Sequence, residues 1–222
     1  MPTAMITGAA GGLGSALTAA LAPTHTLFLA GRASDRLDDL AQRYGATTWS
    51  VDFTDLEALP AVVEPIDELD VLIHNAGVTH PADFADSTVE EWRNSFDVNV
   101  IGPVALTQAL LPALRQRRGH VVIINSGSGL RAHAGMASYS ASKFAARAFA
   151  DALREEEPLL RVTSVFPGRI DTAMQQKLVA YEGRQYNPDE FLRPETVAKI
   201  VADAVNTPPD AHLHEIVVRP YQ

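Results

Sequence analysis

A chain of 222 residues, 46% hydrophobic and 20% charged, has the balance of a folded globular protein and the length for one substantial core. Its 27 acidic and 18 basic residues give a net charge of −9 and a pI near 5.2, which argues against phosphate-backbone binding as the main activity. It contains no cysteine, so disulfides, thiolate chemistry and zinc–sulfur sites are excluded.

In chain order, short β-branched or apolar runs read as strands at 3–9, 25–31, 47–53, 70–76, 120–126, 161–167 and 215–220. Several are apolar on both faces, as strands buried between two layers must be. Helical patterns fall between them, near 13–22, 35–44, 55–67, 88–116, 139–156 and 195–206. Alternation of this kind indicates one α/β domain over 1–222: a doubly wound, seven-stranded parallel sheet with helices on both faces. The one dense basic run, RQRRGH at 115–120, closes a helical pattern, where its cations complement the helix C-terminus. No apolar run reads as membrane-spanning, and the first residues lack the basic and apolar regions of a signal peptide. A cytoplasmic protein with no membrane or nucleic-acid partner is therefore expected.

The first strand runs into TGAAGGLG, residues 7–14, and then an alanine-rich helix. Thr7, Gly8, Gly12, Leu13 and Gly14 form the turn, in which the glycines let the backbone bend sharply and approach a ligand closely. The helix behind it presents free N–H groups and the positive end of its dipole, a fit for a pyrophosphate. At the end of the second strand, the position that would carry a carboxylate for the ribose hydroxyls of NAD is Gly31. Arg32 follows and is placed to grip a 2′-phosphate, so NADP(H) is favoured over NAD(H). Later, YSASK places Tyr139 and Lys143 four residues apart on a helical pattern, hence on one face. An ammonium about 6 Å from the phenol would lower the tyrosine's pKa by about two units, toward the range useful for proton transfer.

The spacing T-G-x-x-x-G-x-G, with Y-x-x-x-K downstream, resembles the compact subgroup of the short-chain dehydrogenase/reductase family, and further motifs match along nearly the whole chain. HNAG resembles that family's N-N-A-G and implies cofactor-side roles for Asn75, Ala76 and Gly77; His74 departs from the pattern. By the same resemblance, Asp52 contacts the adenine, and Pro167, Gly168, Ile170 and Thr172 of PGRIDT hold the nicotinamide amide. The implied catalytic set is Asn99, Ser126, Tyr139 and Lys143, with Ser126 thirteen residues before Tyr139. In it Ser126 holds the substrate oxygen, Lys143 also binds ribose, and Asn99 holds a water connecting Lys143 to solvent.

The activity implied is interconversion of a small carbonyl compound and its alcohol with NADP(H). A non-catalytic NADP(H)-sensing regulator is the competing class, although members of that kind lack the tyrosine or the lysine. The resemblance also implies a substrate lid at 172–195, with Met174, Tyr181 and Tyr186 as contacts. It further implies a homodimer or homotetramer through the alanine face of helix 139–156. His212 and His214, on one face of the last strand pattern, suit a capping or surface role better than a metal pair; no metal is expected.

Overall fold

A computed structural model describes residues 1–53 and 55–221. Seven parallel strands form one sheet: β1 (Thr3–Thr7), β2 (Thr26–Gly31), β3 (Thr47–Ser50), β4 (Val71–His74), β5 (His120–Ile124), β6 (Arg161–Pro167) and β7 (Glu215–Val218). Their spatial order, β3-β2-β1-β4-β5-β6-β7, reverses direction at β1, so the crevice above β1 and β4 is the switch point where doubly wound sheets bind ligands.

The apolar runs sort into two cores by the two-residue period of a strand. Ala4, Ile6, Val71, Ile73, Val122 and Val165 face one layer, where helices α1 (Gly12–Leu21), α2 (Asp35–Tyr44) and α8 (Pro194–Val205) pack. Met5, Leu72, Val121, Ile123 and Val162 face the other, formed by α3 (Leu59–Val63), α5 (Gly102–Arg117) and α6 (Ala137–Glu156). Both faces being dry, the strands could not alternate polar with apolar residues.

Local chemistry sets the helix ends. Ser34 caps α2, accepting from the Leu37 N–H, and Gly45 closes it in the left-handed conformation. Helix α4 (Val89–Phe96) opens on a capping box between Thr88 and Glu91. The cations at the end of α5 find carboxylates: Arg115 reaches Glu157 at 2.6 Å, and Arg117 reaches Asp70 at 2.9 Å.

Four expectations are corrected. Residues 88–116 are not one regular helix, because a π-helical turn at Asp97–Ile101 separates α4 from α5, with the Gly102 N–H bonded to the Asp97 carbonyl five residues back. Taken together, 89–117 is a helical stretch long and apolar enough to cross a membrane, which the sequence reading missed; half of its apolar window is buried in the protein, including Leu106, Leu110 and Leu114. The pattern at 55–67 yields only Leu59–Val63, since Pro60 suits a helix start and Pro65 removes a backbone donor just past its end. His212 and His214 lie before β7 rather than within it. The His212 Nε2 meets the Val162 backbone, 2.8 Å from its N–H nitrogen, and the two rings stand edge to face, 4.5 Å between centroids.

Candidate active site

The glycine loop is built by exclusion of side chains. Gly8 has φ +63°, and a Cβ there would lie 2.8 Å from Ala76 Cα; a Cβ on Gly14 would lie 2.2 Å from the Gly8 carbonyl oxygen. Thr7 and Asn75 tie the loop to the end of β4. The Thr7 hydroxyl accepts from the Asn75 and Ala76 N–H groups, each at 3.0 Å, and the Asn75 amide donates to the Thr7 and Gly8 carbonyls at 3.0 and 3.2 Å. Gly12 and Leu13 open α1, and Gly12 faces Thr172, which caps helix α7 (Ala173–Tyr181) by accepting from the Gln175 N–H. The glycine loop thus lies close against the start of α7.

A cleft of about 1050 Å³ runs across the carboxyl ends of the strands. Thr7, Gly8, Gly12, Leu13 and Gly14 line it with Arg32, Asp52, Asn75, Ala76 and Gly77. Ser126, Tyr139, Lys143, Pro167, Gly168, Ile170 and Thr172 complete the wall, so every expected catalytic and cofactor-binding residue borders this one space except Asn99. Asn99 stands directly behind. Its carbonyl accepts from the Val78 N–H at 2.9 Å, while its amide donates to the Val78 carbonyl at 3.0 Å and the Ser142 hydroxyl at 2.9 Å. The side chain therefore pins the chain after β4 to α6, and both of its donors are occupied.

Tyr139 and Lys143 stand one turn apart on α6, with the ammonium 5.7 Å from the centre of the phenol ring. Lys143 is buried and donates to the Ile124 carbonyl at 3.0 Å; burial holds its pKa down to about 8. Burial also pushes the Tyr139 phenol above its ordinary value, offset in part by a hydrogen bond with Ser126. The expected lowering of the phenol is thus reversed. Both groups lose hydration, and Lys143 directs its charge at a backbone carbonyl rather than at the phenol oxygen. Ser126 lies two residues past β5, where its hydroxyl accepts from the Ser128 N–H at 3.1 Å and its own N–H donates to Asn125 at 2.8 Å.

The profile of the short-chain dehydrogenase family matches residues 2–183. The chain belongs to this family of oxidoreductases. This short-chain dehydrogenase is 38% identical to Dehydrogenase/reductase SDR family member 7B of Xenopus laevis, covering 90% of this chain and 70% of that one. It is 31% identical to an uncharacterized oxidoreductase of Staphylococcus epidermidis, over 98% and 96% of the two chains. Among solved structures, an alcohol dehydrogenase from the archaeon Thermococcus sibiricus, complexed with 5-hydroxy-NADP, superposes with a TM-score of 0.88 at 28% identity, covering 100% and 98% of the chains. The family binds a nicotinamide dinucleotide, and the side-chain-free cradle at Gly8 and Gly14 fits the close backbone approach that its pyrophosphate needs.

Two features of this short-chain dehydrogenase were missed in the sequence. Arg36, the second residue of α2, lines the same cleft as Arg32, a second cation at that end. Its i+4 spacing from Arg32 was the available signal. His74, the departure from the family pattern, is buried, and its Nε2 lies 2.8 Å from the Thr107 hydroxyl, 33 residues away. Of the expected lid contacts, Met174 lines the cleft. Tyr181 instead donates to Asp83 at 3.1 Å, and Tyr186 bonds Asp171.

Proposed function

We propose that this dehydrogenase interconverts a small carbonyl compound and its alcohol with NADP(H), using Tyr139 as the general acid and base. The observation that carries the reading is the convergence of Ser126, Tyr139 and Lys143 on the wall of one cleft whose opposite end is the glycine loop. The dinucleotide, when bound, supplies or accepts the hydride. Ser126 orients the substrate oxygen against Tyr139. A phenol held above its ordinary pKa carries its proton at neutral pH, so Tyr139 is ready to donate to the oxygen of a carbonyl being reduced. Lys143, protonated below about pH 8, then stabilises the negative charge that appears on the phenol oxygen. Asn99 fixes the backbone that frames this pair.

The choice of NADP(H) is supported by Gly31 at the end of β2 and by Arg32 and Arg36 on the adjoining cleft wall. The Thermococcus enzyme's ligand is an NADP derivative. The test is NADPH oxidation by purified protein across aldehydes, ketones, diketones and quinones, with Tyr139→Phe in parallel. The variant is expected to keep its cofactor affinity and to lose roughly 10²- to 10⁴-fold in turnover, the usual worth of a positioned acid. Turnover retained in Tyr139→Phe would sink the mechanism.

A further inference from the structure

The charge on the cleft wall runs against the charge of the molecule. The chain carries 27 carboxylates to 18 lysines and arginines, yet the cleft is lined by six of those cations and by only two carboxylates, Asp52 and Glu182. Three of the six have work in the reading above: Arg32 and Arg36 at the far end, and Lys143 beside Tyr139. The other three, Arg131, Arg169 and Arg219, belong to the segments that surround Ser126.

Those three are not equivalent. Arg169 is neutralised, since its Nη2 pairs with Glu182 at 3.0 Å and its guanidinium stacks on Phe191, 5.2 Å from the ring centre. Arg219 has no carboxylate partner among the described residues. It follows β7, and its Nη1 is held by two backbone carbonyls, those of Phe166 at 2.6 Å and Val218 at 2.9 Å. Nη2 has no hydrogen-bond partner among the described residues and points at the turn carrying Ser126, where a Cβ on Gly127 would lie 3.4 Å from it. Arg131, five residues after Ser126, borders the same space and has no side-chain partner among the described residues. Two uncompensated guanidinium groups thus flank Ser126, one pinned in place by the backbone.

We infer that the substrate carries a carboxylate besides its reacting carbonyl, an oxo acid in one direction and a hydroxy acid in the other, and that Arg219, assisted by Arg131, holds it. A planar carboxylate matches the guanidinium fork, and a fork already fixed by Phe166 and Val218 loses little freedom on binding. The distribution along the cleft gives each negative group its own cations. The 2′-phosphate end has Arg32 and Arg36, the pyrophosphate has the start of α1, and the reaction end keeps Arg131 and Arg219.

The inference rests on the reductase reading, and the experiment separates the two. The probes are 4-carboxybenzaldehyde and its methyl ester, which differ by one charge. Reduction of each by NADPH is followed with wild type, Arg219→Gln, Arg219→Lys and Arg131→Gln, and folding is checked by circular dichroism. Wild type is expected to favour the acid over the ester in kcat/KM by tenfold or more. That preference should fall by at least tenfold in Arg219→Gln, less in Arg131→Gln, and be partly restored in Arg219→Lys. Equal use of acid and ester by wild type, or a preference untouched in both glutamine variants, overturns the carboxylate site while leaving the reductase intact. If neither aldehyde is reduced, calorimetric titration with 4-carboxybenzoate still decides the matter. Binding that Arg219→Gln weakens tenfold supports the site apart from the reaction, and binding equal in both proteins, or absent from wild type, refutes it.

Discussion

Replacing His74 by asparagine should flatten the acid side of the stability curve. His74 is 3% exposed, and burial drives its pKa from 6.5 down to about 3. Thr107 donates its hydroxyl hydrogen to the Pro103 carbonyl at 2.8 Å, so the His74 Nε2 must be the donor in its own bond to that hydroxyl. Nδ1 then has no proton and no partner among the described residues, and protonating it would bury an unpaired charge. Above pH 6.5 the ring is neutral in both states and contributes no pH dependence. As pH falls below 6.5 the unfolded chain takes up a proton that the folded chain refuses until near pH 3, so stability is lost through that window. At 1.36 kcal/mol per pH unit, bringing the protein to pH 5 costs about 2 kcal/mol from this one ring. His120 repeats the device, with its Nε2 2.7 Å from the Thr163 hydroxyl, Nδ1 unpartnered among the described residues and a pKa near 3, so the pair together cost about 4 kcal/mol. That is a large part of the roughly 5–15 kcal/mol by which a domain is stable. Urea unfolding of wild type and His74→Asn at pH 7, 6 and 5 provides the assay. The variant has its own stability at pH 7 because a ring packed edge-on to Phe149 is lost, but its decline to pH 5 should be smaller by about 2 kcal/mol. Parallel declines in the two proteins would refute the reasoning.

Further outcomes follow from the same geometry. Arg32→Ser and Arg36→Ser should each lower the preference for NADP(H) over NAD(H) by about ten- to a hundredfold, the worth of one charge-assisted contact; unchanged kcat/KM ratios would mean that neither arginine reads the phosphate. Gly14→Ala sets a Cβ 2.2 Å from the Gly8 carbonyl oxygen and 2.8 Å from the Ala9 backbone, atoms that cannot swing aside. It should lower Tm by about 4–10 °C and abolish cofactor binding, and a thermal scan with a cofactor titration checks both. In protein labelled with 13C-lysine, one Cε resonance should titrate near pH 8 and vanish in Lys143→Met. No resonance moving between about pH 7 and 9 would contradict the burial of Lys143 as the cause.

Most of the scaffold was legible because each of its signals is local. A buried parallel strand declares itself as a continuous apolar run, and the two-residue period assigns Ile6 and Met5 to opposite cores. The glycines of residues 7–14 signal a turn that side chains would block. What stayed hidden depends on partners distant in sequence. Nothing near His74 announces that Thr107 will meet it. A π-helical turn leaves the hydrophobic pattern of residues 88–116 almost unaltered, so the widened turn that carries Asn99 reads as plain helix. Helix α7 was hidden inside a segment that the family resemblance marked as lid, although Thr172 is an ordinary helix cap.

The Tyr139–Lys143 pair shows how spacing and environment divide the work. The i, i+4 interval on α6 brings the two side chains within 5.7 Å, and that much the sequence specifies. Their protonation is set by the surroundings, which the interval does not encode. Burial holds Lys143 near pH 8 even though its ammonium donates to the Ile124 carbonyl, and burial also raises the phenol. Near pH 7 the resting pair is therefore a neutral acid beside a cation, the arrangement suited to giving a proton to a carbonyl oxygen and then stabilising the charge left behind. Alcohol oxidation needs the opposite, a phenol that has already lost its proton. With the phenol raised, that state becomes more populated only as pH rises, while Lys143 loses its charge above about 8. In the proposed reaction the same two residues are expected to favour reduction at neutral pH and to confine oxidation to alkaline conditions. Initial rates in both directions across pH 6–10 measure this directly, and an oxidation rate that peaks at or below the pH of fastest reduction would refute it.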